Sequence, residues 1–263
     1  MKKKLWTSAI LVLAAVALVT ASVFATVAYL TASSGVSNVF TVGNVSITMF
    51  ESKVDADGVK IVPNQEVDAN SYHLVPDKTY VKDPTIRITS LLQQDEMYLF
   101  VKSSNQIRKA EDGNNGGTHP TMRQQMEKNG WVEFVMSGDG VEIVWVYGTR
   151  DPESGVITPI PVNPTYIQTR GDGTQGPKGE IQLCYEFTIH KDAVVSLYGA
   201  AAVNFTAFAI QKSGIDSALE AWEAIKSSYP YDCGIVNPVN PYNGSTTNPY
   251  DPVPKETEPN PAN

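Results

Sequence analysis

Apolar residues recur at every second position over several short stretches of this chain. In NVSITM, Val45, Ile47 and Met49 alternate with Asn44, Ser46 and Thr48, the signature of a strand with one buried and one wet face. The same β-branched and aromatic composition marks the runs NVSITMFES, TYVKDPTIRIT, EMYLFVKSS, GWVEFVMS, VEIVWVYG, IQLCYEFTIH and NFTAFAIQK. In IQLCYEFTIH the alternation places Ile181, Leu183, Tyr185, Phe187 and Ile189 on the core face. Cys184 then falls on the opposite face with Gln182, Glu186 and Thr188. About seven such runs between turn-rich connections predict an all-β fold, a jelly-roll-like two-sheet antiparallel sandwich with loop insertions.

The connections carry turn chemistry. DADG, Asp55 to Gly58, reads as a hairpin turn with Gly58 at positive φ. EDGNNGG reads as a flexible loop leading to a short helix from Pro120 to Lys128, capped by Thr118 and ended by Gly130. PVNPTYIQTRGDGTQGPKGE is a long Pro- and Gly-rich excursion, expected to be mobile. In GIDSALEAWEAIKSS the period changes to 3.6, which predicts a short C-terminal helix near 214–226. Its buried face is Ile215, Ala218 with Leu219, Trp222 and Ile225, and Ser213 and Asp216 fit its first turn. From Asn237 the chain is dense in Pro and Asn with little to bury, so 237–263 reads as a disordered tail.

The N-terminus has a different character. Lys2, Lys3 and Lys4 are followed by no charge until Glu51, and Ala9 to Leu30 is almost entirely apolar or small. This is an export signal spanning 1–28, cut between Ala28 and Tyr29, with Thr26 and Ala28 at the small-residue positions. Val23 and Ala25 form an alternative pair, and the rival outcome is an uncleaved N-terminal anchor. Cleavage leaves an arm, 29–41, ahead of a sandwich domain over 42–236.

Charge and cysteine content narrow the function. The 20 basic residues less the three leader lysines stand against 28 acidic ones, a net charge of −11. That sign disfavours nucleic acid and anionic lipid as partners. The two cysteines, Cys184 and Cys233, either staple the C-terminal segment across the outside of the sheet or remain free thiols.

Motifs for catalysis are missing. There is no HExxH, no GxSxG and no Gly-rich phosphate loop before a helix, and His73, His119 and His190 are widely spaced. DADGVK lacks the later ligands of a calcium loop. The NxS/T triplets at Asn44, Asn204 and Asn243 carry little weight, and no LPxTG-type sorting motif is present. No catalytic, cofactor-binding or metal-ligating residue is assigned.

Three segments together resemble a known family. They are the export signal running into ATVAYLTASSGVSNVFTVGNVSI, then SYHLVPDKTYVKDPTIRI (Ser71 to Ile88), and FTAFAIQKSGIDSALEAWEAI (Phe205 to Ile225). They look like the TasA/camelysin family of Gram-positive bacteria, a resemblance that covers most of the chain except the two long loops and the tail. It implies a secreted jelly-roll subunit of extracellular matrix fibres that support a biofilm, exported through the dedicated signal peptidase SipW. It also implies that the N-terminal strand of one subunit fills a groove in the next, a form of strand addition.

Carried onto this chain, the donor runs from Tyr29 to about Thr41, with Tyr29, Leu30, Val36, Val39 and Phe40 as apolar anchors. The alternative is that Val39 to Met49 is the first strand of the chain's own sandwich, behind a loose terminus. Implied partners are other copies in a head-to-tail homopolymer, SipW, and other matrix proteins or polysaccharide. Some relatives are described as zinc metalloproteases, but the sequence offers no zinc motif on which to place that activity. The rival functions are therefore a membrane-tethered adhesion or binding module and, less favoured, a secreted camelysin-type metallopeptidase.

Overall fold

Strand-forming runs dominate the computed structural model, which describes residues 31–32, 37–90, 92, 94–235 and 237–242. Along the chain come β1 (Thr31–Ala32), β2 (Ser37–Val42), β3 (Ile47–Ser52), β4 (Glu66–Val67), β5 (Tyr72–His73), β6 (Thr79–Val81), β7 (Thr85–Ile88) and β8 (Met97–Asn105). Helix α1 (Met122–Lys128) precedes β9 (Trp131–Ser137), β10 (Glu142–Arg150), β11 (Ile157–Pro159), β12 (Ile167–Thr169), β13 (Gln175–Lys178), β14 (Glu180–Gln182) and β15 (Glu186–Thr188). The last elements are β16 (Val203–Gln211), helix α2 (Ala218–Ser228) and β17 (Pro238–Val239). The expected signal peptide, 1–28, and the tail from 243 lie outside the described residues.

The larger sheet runs β17-β9-β10-β8-β16-β2, with β11 added to β10, and the smaller runs β14-β7-β3-β4. All pairs are antiparallel except β2 on β16, which is parallel. The all-β sandwich read from the alternation is thus present, with one parallel edge that period-2 patterning does not reveal.

The larger sheet is apolar on both faces. Met97, Leu99 and Val101 of β8 point into the space between the sheets with Trp145, Phe205 and Ala207, opposite Ile47, Met49, Ile86 and Ile181. Tyr98 and Phe100 point the other way, with Val144, Val146 and Phe208, into a second core roofed by α2. This explains why EMYLFV reads as a continuous apolar run rather than an alternation: both faces of its strand are covered.

Helix α2 is set by its cap and by one aromatic anchor. Ser217 Oγ accepts from the Glu220 N–H at 3.1 Å, so the first turn begins there, not at Ser213. Trp222 sits 5.4 Å from the Phe100 ring and 5.5 Å from Phe208, which fixes the helix rotation. The buried stripe is therefore Ala218, Ala221, Trp222 and Ile225, while Leu219, expected inside, is 39% exposed. In α1 the cap is Thr121, not Thr118. Its Oγ1 accepts from the Gln124 N–H, and Gln124 Oε1 accepts from the Thr121 N–H, a reciprocal capping box. Gly130, at φ +89, follows the helix as expected.

Strands β6 and β7 pair with β15 and β14 as one ladder interrupted at Pro84, which has no N–H to donate. Opposite the interruption the pleat is lost. Leu183 and Cys184 both turn inward and Tyr185 turns out, so Cys184 lies in the sandwich core and not on the wet face. Cys233 lies in the helix-side core, across the larger sheet, and both cysteines are free thiols. The proposed staple between them does not form, because the sheet stands between them.

Two segments read as loose are built into the fold. The excursion forms the β12–β13 hairpin, and the fully buried Gln168 donates to the backbone oxygens of Asn129 and Gln182 at 2.9 and 3.0 Å. The start of the expected tail adds β17 to β9, and Tyr242 donates to the Glu133 carbonyl at 2.9 Å. Edge strands tolerate a residue such as Pro238. Asp55 to Gly58 makes the expected turn, with the Asp55 carboxylate accepting from the N–H groups of Asp57 and Val59. Gly58, at φ +75, leaves no room for a side chain beside Tyr80.

The two-core arrangement makes Trp222 as important as any residue between the sheets. Trp222→Ala is expected to lower unfolding stability by about 3–5 kcal/mol, measured by denaturant titration, whereas Leu219→Ala should change it by less than about 1 kcal/mol.

Candidate assembly interface

Strand β2 closes one end of the larger sheet. Its register on β16 runs from Ser37 opposite Phe205 to Val42 opposite Ile210. Phe40, opposite Phe208, stacks on that ring at 5.4 Å and leans on Tyr229 at 4.8 Å. The Tyr229 hydroxyl donates to the Thr41 carbonyl at 2.5 Å. Phe40 and Val42 thus extend the helix-side core to the sheet margin, whereas Val39 is 38% exposed. A half-buried aromatic of this kind contributes about 1–3 kcal/mol.

The strand leaves the sheet through Gly43, at φ +85, where a side chain would meet Gln211 Cβ at 2.9 Å. The Gln211 side chain also accepts from the Asn44 N–H at 3.2 Å. Past this pivot the chain crosses to the smaller sheet as β3. Upstream, β1 pairs antiparallel with β5, Thr31 opposite His73 and Ala32 opposite Tyr72. Both described parts of the arm therefore pair with their own chain. The expected donor anchors divide accordingly: Val39 and Phe40 lie on β2, while Tyr29, Leu30 and Val36, like Ala28 of the expected cleavage site, lie outside the described residues.

On the outer side of β2 the described residues contribute no further strand. Such a margin presents backbone groups to any strand that approaches it. The parallel pairing and the Tyr229 contact were not legible in the sequence, because both join segments far apart in the chain. The signal that did exist was Phe40, the one aromatic of the SNVFTV run.

The most enzyme-like cluster lies elsewhere. Glu111 is 1% exposed, and its carboxylate accepts from Asn105 Nδ2 at 2.6 Å and from the Met122 N–H at 2.7 Å. A small cavity beside it is lined by Ser103, Arg108, Met126, Trp145 and Phe205. Burial pushes the Glu111 carboxyl up to about 7, against the pull of those two donors. His119 pairs with Asp112 at 3.0 Å and His190 faces Asp192. Among the described residues no three His, Cys, Asp or Glu side chains converge as a metal site.

Glu111 makes stability depend on pH. Its folded value lies above the ordinary 4.5, so the folded state holds the proton more tightly. The stabilisation is complete below pH 4.5 and lost as pH rises through about 7. Glu111→Gln should remove a stability loss on the order of 3 kcal/mol across that window, read from denaturant midpoints measured at successive pH values.

Compared with protein-family models, curated proteins and solved structures, the chain matches none.

Proposed function

We propose that this chain is an exported structural subunit, not an enzyme, that self-assembles by strand addition into extracellular matrix or surface fibres of a biofilm. One observation carries the reading. The N-terminal strand β2 is docked on β16 through a backbone ladder and a single aromatic plug, and it joins the body at Gly43. A copy of Ser37–Val42 from a neighbouring molecule satisfies the same register, the same Phe208 and Tyr229 contacts and the same backbone acceptors. An arm that fills its own groove in a monomer and a neighbour's groove in a polymer gives head-to-tail growth, because donor and acceptor surfaces differ.

The export signal fits this use. While the apolar leader is attached the arm is held at the membrane, and removal between Ala28 and Tyr29 by a SipW-type signal peptidase frees it outside the cell. Export and assembly are thereby coupled, which keeps an exchangeable edge out of the cytoplasm. The acidic mature chain is compatible with other matrix proteins or polysaccharide as further partners and disfavours nucleic acid. The resemblance to the TasA/camelysin family supports the same reading.

Deleting Tyr29 to Phe40 from the mature protein should leave a folded monomer that forms no filaments by electron microscopy. Circular dichroism and size-exclusion chromatography check the fold. If the folded, truncated protein polymerises as well as the mature one, strand addition by the arm is wrong.

A further inference from the structure

At one end of the sandwich, away from α2, three polar side chains lie together in the dry interior. Lys82 is 3% exposed, Glu51 1% and Asn70 5%. They arrive there by strand alternation: Glu51 follows Ile47 and Met49 on the inward face of β3, and Lys82 follows Tyr80 inward from β6. A fully buried lysine is rare, and this one has aromatic rings of Tyr72 and Phe205 about its ammonium at 6.0 and 5.9 Å. Its Nζ donates to Glu51 Oε1 at 3.0 Å and lies 2.9 Å from Oε2.

Asn70 meets the same carboxylate. Its backbone N–H donates to Glu51 Oε1 at 3.0 Å, so the amine and the asparagine share one acceptor atom. The carboxamide is itself held at both ends. Oδ1 accepts from the Val54 N–H at 2.9 Å, and Nδ2 donates to the Ser52 carbonyl at 2.8 Å. Beside it Asp83 is occupied elsewhere, accepting from the Ser52 N–H and hydroxyl and pairing with Lys60.

We propose that Glu51, Lys82 and Asn70 form an autocatalytic crosslinking site that joins Lys82 Nζ to Asn70 Cγ as an isopeptide bond. Each partner has the chemistry the reaction needs. Burial holds the Glu51 carboxyl above the usual carboxylate range, with Lys82 pulling against it, so the carboxyl is placed to hold and return a proton. A proton passes from the Lys82 ammonium to Glu51, leaving a neutral amine and a carboxylic acid. The amine lone pair attacks Cγ, forming the C–N bond, and the carbonyl electron pair moves to Oδ1, where the Val54 N–H receives the charge. Glu51 gives its proton to Nδ2 as the Cγ–Nδ2 bond breaks, and takes one from the attacking nitrogen. Ammonia leaves, and Glu51 ends protonated beside a neutral amide. No oxidant or cofactor is consumed.

Lys82 and Asn70 meet on one oxygen of Glu51 in a site buried from solvent, and that enclosure supplies the rate. The product has a structural consequence, because the bond closes the segment from Asn70 to Lys82, which contains the strand that pairs with β1. It also replaces a costly buried ion pair by a neutral link.

The test is peptide mapping of the full mature protein by mass spectrometry. The expected chain is one ammonia lighter than its sequence requires. Trypsin then yields peptides 61–78 and 79–87 joined, with no cleavage after Lys82. Lys82→Arg, which keeps the charge without a comparable nucleophile, should restore the full mass. Recovery of wild-type peptides 61–78 and 79–82 unlinked, at full mass, overturns the proposal whatever the variant does.

Discussion

Burial of a sheet that is apolar on both faces is the constraint from which the rest of this structure follows. Met97 to Val101 supplies inward and outward side chains in turn, and each set has to be removed from water. The smaller sheet covers one face and α2 covers the other. With Trp222 between Phe100 and Phe208, the helix completes a second core and is no mere surface decoration. The order of the chain, sandwich first and helix afterwards, is what allows the N-terminal arm and the C-terminal helix to meet at Phe40 and Tyr229.

A sheet covered on both faces still has two margins. Here both are closed by terminal segments: β2 lies on β16 at one side, and β17 with Tyr242 lies along β9 at the other. The two closures differ in kind. The C-terminal one is a two-residue pairing containing a proline, reinforced by Arg150 over the Tyr242 ring, and such an edge resists further pairing. The N-terminal one is a six-residue ladder with an aromatic plug, joined to the body at one glycine. That asymmetry fits the proposed polymer, in which the arm is the donor and the groove beside β16 the acceptor.

The apolar core-facing residues Ile47 and Met49 of β3 were legible from alternation, and the Asp55 to Gly58 turn and the existence of both helices from their turn and period signals. Where the sequence misled, a specific local event intervened. Pro84 interrupts a ladder and turns Cys184 inward, Trp222 rotates α2 so that Leu219 faces solvent, and Gln124 selects Thr121 as the cap. The candidate interface was only half legible. Phe40 could be singled out as an anchor, but its partners Phe208 and Tyr229 lie more than a hundred residues away, and no periodicity encodes a parallel pairing. The meeting of Glu51, Lys82 and Asn70 was hidden for a different reason, since charged and amide residues in a strand pattern ordinarily read as its wet face.

Whether the strand beside β16 belongs to the same molecule or to its neighbour decides the account. Thr41 and Ala209 are opposite each other in the register, so cysteines at both positions lie within bridging reach. Oxidising assembled filaments of the Thr41→Cys, Ala209→Cys protein and then denaturing them without reductant reads the answer directly. A covalent ladder of dimers, trimers and longer chains is the predicted result; filaments that dissolve into internally bridged monomers would contradict it.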